Sequence, residues 1–354
     1  LLASGTLDLT LFSSSWKDRI APGAELPGAI LLDRRIPVRL LNLLWHRAGW
    51  PPVEALSAGR FDVVHSLHPL LMPSRDAAQV ITVHDLNFLS HPERTRAEVR
   101  RDYPPLAREH ARRADAIIVP SAFTAGEVER RLGIAPERIA VCPHGAPDWT
   151  PRSAPPKDGY VLFFSTLEPR KNVGGLLDAY ERLIAGGAAA GAGAPNASIP
   201  ELVLAGKATD EARPWLERIE RPPLQGMVRH IGYVKPGDRR ALYDGARLLV
   251  MPSFEEGFGI PVLEAMSVGV PVVAANRGSL PEVLGDAGPL VDPDHPDAMA
   301  AAIARFLKDE TYTAECVRRG LARAKEFRWD RTAERVYAAY GQAIERRRHR
   351  SRAA

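Results

Sequence analysis

Two glutamates flank a glycine-rich loop in the second half of the chain. Glu256 and Glu264 are separated by seven residues, and the stretch between them holds Gly257, Gly259 and Pro261. Carboxylates accept hydrogen bonds well from neighbouring sugar hydroxyls, but they are poor partners for a phosphate. The glycines let a ligand approach the backbone, and free N–H groups at a helix start favour anionic or hydroxyl-rich ligands. The spacing therefore predicts a sugar or nucleotide site whose phosphates are held by other residues.

A pair of basic residues can supply that positive charge. Arg170 and Lys171 follow the predicted strand Tyr160–Phe164 and precede Asn172, which can cap the next helix. Two fixed positive charges beside free helix N–H groups favour a diphosphate. On these residues alone a solvated basic loop is equally consistent, and the glycine loop with its glutamates favours binding.

A histidine and an aspartate follow an apolar run in the first half of the chain. His84 and Asp85 come directly after Val80–Val83, and His65 ends another predicted strand. In open α/β sheets the ligand crevice lies at the carboxyl ends of the strands. A titratable pair at that edge favours a functional role for His84, whereas His65 and Ser121 are more typical of a structural hydrogen bond or a helix cap.

Two further candidates follow strands in the second half of the chain. Lys207 ends the stretch Glu201–Lys207, which is predicted to continue the sheet, and Tyr233 comes after the predicted strand Val228–Ile231. Lys207 adds a positive charge at the end of its strand. Tyr233 can border a nucleotide base, although packing is the commoner role of an aromatic residue in a loop.

Strands alternate with helical patterns throughout, which predicts an α/β fold with parallel sheets and helices on both faces. The strands predicted in the first half are Leu7–Phe12, Phe61–Val64, Val80–Val83, Ala116–Val119 and Ile139–Val141. A helix is expected over Arg34–Trp45, and another over Glu93–Ala114 that Pro104-Pro105 should break or kink. Ser121 and Gly133 are expected to begin and end a third helix.

A proline-rich segment, Pro151–Pro156, is the best candidate for a domain boundary. We expect a first domain over 1–152, a second over 153–327, and a C-terminal helix with a basic tail over 328–354 that packs back toward the first domain. The low-complexity run Ala185–Ser198 predicts a flexible surface insertion. The arginine-rich tail Arg346–Arg352 predicts a disordered end, or a weak contact with acidic lipid.

The composition narrows the class of protein. The chain has 354 residues, of which 45% are hydrophobic and 25% charged, with a net charge of +4. These values are ordinary for a soluble globular protein, and the charge is too small to indicate nucleic acid. Two cysteines, Cys142 and Cys316, make no disulfide framework or zinc site, and no segment is long enough to span a membrane, which favours the cytoplasm.

The strand near Leu7 has almost nothing before it, so we expect that an opening strand and helix are missing.

Six segments, in order, resemble one enzyme family. EGFGIPVLE, which contains Glu256 and Glu264, resembles the E-x7-E signature of the retaining GT-B glycosyltransferases of family 4, also called group 1. The other similar segments are VHDLNFL (83–89), PSAFTAGEV (120–128), TLEPRKN (166–172), GYV (232–234) and RGSLPEV (277–283). The resemblance covers nearly the whole chain and implies two Rossmann-like domains that face each other across a cleft. Ser165 stands where the family usually has glycine, and we expect that the family's opening strand and glycine-rich loop are missing here.

The resemblance also implies a role for each candidate. In the family, the position of Glu264 holds the ribose hydroxyls, and that of Glu256 contacts the transferred sugar. The positions of Arg170 and Lys171 hold the diphosphate and stabilise the leaving group, and His84 falls near the reacting centre and the acceptor. The remaining residues expected at the donor site are Gly257, Phe258, Gly259, Ile260, Lys207 and Tyr233. The family needs no bound metal or other cofactor.

The expected activity is transfer of a mannose- or glucose-type hexose from a GDP-, UDP- or ADP-hexose to a hydroxyl of a glycan or lipid-linked acceptor. The resemblance implies retention of anomeric configuration and a role in polysaccharide or cell-envelope glycan synthesis. The expected location is cytoplasmic, with peripheral contact at the inner face of the membrane. An epimerase of the same fold, or a nucleotide-sugar-binding protein without turnover, is the alternative. A nucleic-acid reader is disfavoured because the tail arginines lack interleaved aromatic residues.

Overall fold

The structure is a computed structural model that describes residues 5, 7–16, 27–57, 59–90, 92, 97–189 and 199–353, the side chains of 97–102, 188, 189 and 353 excepted. The chain divides into two compact units. Unit 1 comprises Leu1–Pro143 and Trp329–Ala354, and unit 2 comprises His144–Arg328. Each unit is an α/β structure with parallel strands.

Strands and helices alternate along most of the chain, as the sequence predicts, although the fourth strand follows the third directly and the last three helices are consecutive. The strands are β1 (Leu9–Ser14), β2 (Ala29–Arg34), β3 (Val63–Ser66), β4 (Ala78–Thr82), β5 (Ala116–Val119), β6 (Ile139–Val141), β7 (Tyr160–Phe164), β8 (Leu202–Ala205), β9 (Val228–Gly232), β10 (Ala246–Met251), β11 (Val272–Ala275) and β12 (Leu290–Val291). The helices are α1 (Val38–Ala48), α2 (Val53–Ser57), α3 (Asn87–Ser90), α4 (Ala97–Arg113), α5 (Ala122–Leu132), α6 (Val173–Ala189), α7 (Arg213–Ile219), α8 (Arg239–Asp244), α9 (Ile260–Val268), α10 (Leu280–Leu284), α11 (Pro296–Lys308), α12 (Glu310–Ala324) and α13 (Trp329–Ala353). Among the described helices, none is both long and apolar enough to cross a lipid bilayer.

Unit 1 contains two parallel sheets. β1 pairs with β2, and a second sheet has the order β3-β4-β5-β6. β5 and β6 lie at the predicted residues, whereas β1, β3 and β4 are displaced from the predicted bounds by up to two residues. β2 was not predicted, because a short apolar run does not by itself distinguish a strand from a helical segment.

The helix before β5 does not break at its two prolines. α4 continues from Ala97 to Arg113 across Pro104-Pro105. Its second half packs into the unit 1 core, where Ala107 and Ala111 are fully buried. Packing of this kind offsets the backbone hydrogen bonds that two prolines remove.

Helix ends in unit 1 follow local chemistry. The Ser121 side chain accepts a hydrogen bond from the backbone N–H of Thr124, so Ser121 caps α5 as predicted. Gly133 ends the same helix with a left-handed φ of 67°. The helix predicted over Arg34–Trp45 begins later, at Val38 directly after a proline, and ends before the left-handed Gly49.

The C-terminal helix belongs to unit 1, and the prediction of a disordered basic tail is wrong. α13 runs to Ala353, and its Ala343 is buried in a core cluster against the second sheet of unit 1. Arg346, Arg347 and Arg350 each donate hydrogen bonds to backbone carbonyls of unit 1. These arginines are therefore engaged by the fold, because their long side chains reach carbonyls at the ends of neighbouring elements.

Unit 2 is built on one sheet of parallel strands in the order β12-β11-β10-β7-β8-β9. Every residue of β8 and β11 is buried, as expected for a parallel sheet covered on both faces. β7 lies at the predicted residues. In such a sheet the loops that follow neighbouring strands meet at one edge, and β7 and β10 are neighbours.

One helix of unit 2 is longer than predicted. α6 extends to Ala189, so the run Ala185–Ser198 begins inside a helix and is not wholly a loop. Alanine has the highest helix propensity, which accounts for the extension. Residues 190–198 of this run lie outside the described residues.

His65 is expected to make the stability of the protein depend on pH. Its Nδ1 lies 2.8 Å from the Tyr340 hydroxyl of α13, and its Nε2 lies 2.8 Å from Thr82 Oγ1. Burial, with a smaller effect from His84, lowers the pKa of His65 from 6.5 to about 4. Between these values the unfolded chain binds a proton that the folded chain does not. The free energy of unfolding should therefore fall as the pH falls through this window, by at most about 3 kcal/mol from this group.

The measurement is urea denaturation from about pH 7 to about pH 4 on the wild type and on His65→Gln. Glutamine can still form hydrogen bonds at this position but does not titrate, so the variant should lose less stability on acidification. His349→Gln, on the exposed end of α13, is the matched control. A stability difference between wild type and His65→Gln that stays constant over the window contradicts the prediction.

Candidate functional site

Two loops at one edge of the unit 2 sheet carry the basic pair and one of the glutamates. After β7 the chain makes a 3-10 turn over Pro169–Lys171, and Asn172 follows with a left-handed φ of 55°. Asn172 Oδ1 accepts a hydrogen bond from the backbone N–H of Gly175 at 3.2 Å, so Asn172 caps α6 as predicted. In the loop after β10, the backbone N–H of Phe254 donates to the Arg170 carbonyl at 2.9 Å. This bond holds the two loops against each other.

Lys171 and Glu256 form a buried ion pair. Lys171 Nζ lies 2.5 Å from Glu256 Oε1, and the two residues are 5% and 7% exposed. Ser253 Oγ donates to the same carboxylate oxygen at 2.8 Å. Arg170 Nη1 lies 3.9 Å from Glu256 Oε2, and Arg170 Nε donates to Glu168 at 2.6 Å. Each buried charge of the pair requires the other, since an isolated charge at this depth is strongly unfavourable.

This environment keeps the Glu256 carboxylate ionised. Burial alone would raise the pKa of Glu256, but the charges of Lys171 and Arg170 and the hydrogen bonds from Lys171 and Ser253 outweigh it. The pKa of Glu256 therefore lies below its usual value. An ionised carboxylate only accepts hydrogen bonds, so Glu256 is suited to bind hydroxyls and not to donate a proton.

The RGSLPEV segment holds the backbone of Glu256 in place. The Glu256 carbonyl accepts hydrogen bonds from the backbone N–H and the side-chain Oγ of Ser279, at 3.1 and 3.0 Å. Gly278 has a left-handed φ of 62°, and a Cβ at this position would lie 2.7 Å from the Glu256 carbonyl oxygen. Only glycine meets both conditions, which explains the need for this residue in the segment.

Glu264 lies on α9, a helix in which every residue from Val262 to Val268 is buried. Tyr243 Oη donates to Glu264 Oε2 at 2.7 Å, and Arg239 Nη1 donates to Glu264 Oε1 at 3.3 Å. Burial raises the pKa of Glu264 above its usual value, and the hydrogen bond from Tyr243 and the charge of Arg239 oppose that rise. Because α9 begins at Ile260, Glu264 lies beyond the first turn of the helix.

Three residues of these networks were not predicted from the sequence. Ser253, Arg239 and Tyr243 contribute side-chain donors to the two glutamates. Arg239 and Tyr243 belong to α8. Their partner lies on another helix, so no local signal in the sequence identifies them.

The residues between the two glutamates differ in whether their side chain or only their backbone is available to a ligand. Gly259 has a φ of 96°, and a Cβ there would lie 2.8 Å from Leu280 Cδ2, so the position favours glycine. Phe258 is buried, with its ring 5.0 Å from that of His144. Its side chain is part of the core, which leaves its backbone for a ligand. Ile260 is 44% exposed.

Lys207 and Tyr233 come together at the ends of β8 and β9. Lys207 Nζ lies 5.1 Å from the centroid of the Tyr233 ring, which is a cation–π distance. Lys207 is exposed, and Tyr233 is 59% exposed. An exposed aromatic face beside a cation is suited to stack against a planar ligand.

His84 is the one predicted site residue that lies in unit 1. It is exposed, and its Nε2 lies 3.2 Å from the Leu67 carbonyl oxygen. Asp85 Oδ1 accepts a hydrogen bond from the backbone N–H of Asn87 at 3.2 Å. Within the described ranges, no group of three or more His, Cys, Asp or Glu residues lies close enough to hold a metal ion.

Two family models match the chain, one after the other. Residues 2–148 match the model of Glycosyltransferase Family 4, and residues 148–323 match that of Glycosyl transferases group 1. The two matches meet at residue 148 and together cover residues 2–323.

Curated relatives include two proteins of Escherichia coli. The chain is 36% identical to O-antigen chain mannosyltransferase B over 283 residues, which cover 76% of this chain and 71% of that protein. It is 33% identical to the serotype-specific mannosyltransferase WbdA over 243 residues, 62% of this chain. That match spans only 28% of the length of WbdA.

Solved structures with a similar fold share less sequence. Sucrose-phosphate synthase from Thermosynechococcus elongatus superposes with a TM-score of 0.76 at 20% identity, covering 97% of this chain and 91% of that one. Anabaena HepE in complex with UDP-glucose gives a TM-score of 0.63 at 19% identity, covering 96% and 98%. These likenesses show the GT-B fold that the resemblance implied. With the two family matches and the E. coli relatives, they establish that this chain is a glycosyltransferase of family 4, group 1.

Proposed function

We propose that this chain transfers a mannose- or glucose-type hexose from a nucleoside-diphosphate sugar to a hydroxyl acceptor, in polysaccharide or cell-envelope glycan synthesis. The observation that carries the proposal is the buried Lys171–Glu256 pair, which joins a phosphate-binding cation to a hydroxyl-binding carboxylate. The similar E. coli proteins are named mannosyltransferases, and HepE is described with UDP-glucose bound, which supports this choice of donor and sugar.

The reaction breaks the bond between the anomeric carbon and the diphosphate oxygen, and it joins that carbon to the acceptor oxygen. The electron pair of the broken bond leaves with the diphosphate as an added negative charge, and the proton of the acceptor hydroxyl is released to water. Arg170 and Lys171 stabilise that charge, because positive groups already held in place lower the barrier without reorganising. When a diphosphate replaces Glu256 as the partner of Lys171, the carboxylate becomes free to accept sugar hydroxyls.

The other candidates receive roles around this pair. We assign Glu264 to the ribose hydroxyls and the backbone amides of 257–260 to the sugar and phosphates. Lys207 and Tyr233 are assigned to the edge of the base, supported by their exposed cation–π contact. His84 is assigned to the acceptor side, supported by its exposure at the end of a unit 1 strand. Positive charge on the protein neutralises the diphosphate, so no metal or further cofactor is part of the proposal.

Removing either member of the buried pair should abolish most of the activity. Lys171→Ala removes a charge that stabilises the leaving group, and Glu256→Gln removes the ionised acceptor of the sugar hydroxyls. Each should lower kcat by about 100-fold or more. The measurement is release of nucleoside diphosphate from GDP-mannose, UDP-glucose and ADP-glucose in the presence of mannose- or glucose-terminated oligosaccharides.

The matched control for Lys171→Ala is Arg182→Ala, which breaks an exposed ion pair with Asp297 in the same unit. That variant should retain wild-type turnover. Lys171→Ala leaves a buried carboxylate without its cation, which could unfold the protein. The double variant Lys171→Met/Glu256→Gln removes both charges. Circular dichroism of this variant tests whether the fold persists without the ion pair. Turnover at the wild-type rate in both single variants would contradict the assignment of Lys171 and Glu256 to the site.

Retention of configuration is the stereochemical part of the proposal. A donor with an α-linked sugar should give an α-linked product, which the anomeric proton coupling and the one-bond carbon–proton coupling in NMR report directly. A β-linked product contradicts retention but leaves the transferase activity standing. Conversion of the donor sugar without any acceptor present would instead indicate an epimerase.

We also propose that the protein works in the cytoplasm and contacts the inner face of the membrane through the outer side of α1. Leu40 and Leu43 are 49% and 56% exposed on this helix, whereas Leu41 and Trp45 are buried. Trp50, just after the helix, is 61% exposed. The segment 34–50 contains four arginines and no acidic residue. Apolar and basic groups on one helix surface favour an anionic lipid surface.

Binding to vesicles should depend on the apolar residues of α1. Leu40→Ser/Leu43→Ser should weaken co-sedimentation with phosphatidylglycerol-containing vesicles by about ten-fold or more, since two exposed leucines lose their lipid contact. Leu290→Ser, at a leucine that is 38% exposed in unit 2, is the matched control and should bind like the wild type. Equal binding of the double variant and the wild type contradicts the contact, and so does wild-type protein that stays in the supernatant.

A further inference from the structure

The second glutamate, Glu264, has a protein donor on each of its carboxylate oxygens. Tyr243 Oη lies 2.7 Å from Oε2, and Arg239 Nη1 lies 3.3 Å from Oε1. Tyr243 is completely buried, and Glu264 is 6% exposed. Where water has little access, the orientation of the carboxylate is decided by these two protein donors.

The Tyr243 hydroxyl is itself fixed by packing. The Tyr243 ring lies 5.9 Å from that of Trp149 and 6.0 Å from that of Phe164. The Arg239 guanidinium lies 5.9 Å from the same Phe164 ring. A phenol held between two other rings cannot follow a carboxylate that rotates, so the carboxylate must align with the phenol.

The fixed carboxylate retains hydrogen-bond acceptor positions for a ligand with two adjacent hydroxyls. An ionised carboxylate accepts hydrogen bonds at about four positions, roughly two on each oxygen. Tyr243 takes one position on Oε2 and Arg239 takes one on Oε1. The remaining positions, one on each oxygen, match the paired 2′- and 3′-hydroxyls of a ribose.

We infer that Tyr243 is the positioning residue of the ribose site. Its hydroxyl sets the orientation of Glu264, and this orientation makes the site selective for nucleoside diphosphates that carry both ribose hydroxyls, whatever their base. The inference rests on the proposed function, which assigns Glu264 to the ribose. Tyr243 acts through Glu264 and does not itself touch the donor.

The test compares ribonucleotides with deoxyribonucleotides. Calorimetric titrations use UDP, GDP and ADP and the 2′-deoxy form of each on the wild type and on Tyr243→Phe. The variant should bind the ribonucleotides about ten-fold more weakly, on the order of one hydrogen bond to a charged group, and the deoxynucleotides almost as before. In turnover assays the donor KM should rise by a similar factor while kcat changes little, as expected when binding outside the reacting centre is lost.

A second tyrosine, at the start of β7, hydrogen-bonds the same helix and provides the matched control. Tyr160 Oη donates at 2.7 Å to the backbone carbonyl of Leu242, the neighbour of Tyr243 in α8. Tyr160→Phe therefore removes a phenol hydroxyl that supports α8 without touching Glu264. It should lower the melting temperature and leave the preference for ribonucleotides unchanged. Arg239→Gln, which removes the donor on Oε1, serves as a second variant and should also reduce that preference.

The outcomes separate the inference from the function on which it rests. Tyr243→Phe protein that prefers ribonucleotides as strongly as the wild type overturns the positioning role, and so does an equal loss of preference in Tyr160→Phe. Glu264→Gln protein that keeps the preference overturns the ribose assignment of Glu264. Wild-type protein that binds none of the three nucleoside diphosphates overturns the proposed function as a whole.

Discussion

The buried ion pair between Lys171 and Glu256 is the constraint on which the rest of the unit 2 site depends. Neither charge is stable alone at 5% and 7% exposure, so the loops that carry them must be held at a fixed distance. The sheet brings the two loops side by side, because β7 and β10 are neighbours. The bond from Phe254 to the Arg170 carbonyl and those from Ser279 to the Glu256 carbonyl then hold the loops in place.

The same fold gives its two glutamates different electrostatic surroundings. Cations and hydrogen bonds overcome burial at Glu256 and lower its pKa, whereas burial prevails at Glu264 and raises its pKa. Glu256 is thus paired with the lysine to which we assign the diphosphate of the donor. Glu264 is held by a buried phenol and an arginine, which are suited to orient it and not to be displaced.

Local sequence rules predicted elements well where local chemistry decides them. β5, β6 and β7 lie at the predicted residues, and Ser121 and Asn172 form the predicted caps, because strand hydrophobicity and cap hydrogen bonds involve near neighbours. The rules failed where distant packing decides. The arginine-rich tail is a helix whose arginines donate to unit 1 carbonyls.

The sequence by itself determined the alternating α/β architecture, the family resemblance, and the residue types that could bind a nucleotide sugar, because these depend on composition and spacing along the chain. Only the tertiary structure decided which side chains act on one another. It joined Lys171 to Glu256 across two strand-end loops, and Tyr243 to Glu264 across two helices. The physical reason is that burial, charge pairing and hydrogen-bond orientation are properties of neighbours in space, and the partners here lie far apart in the chain.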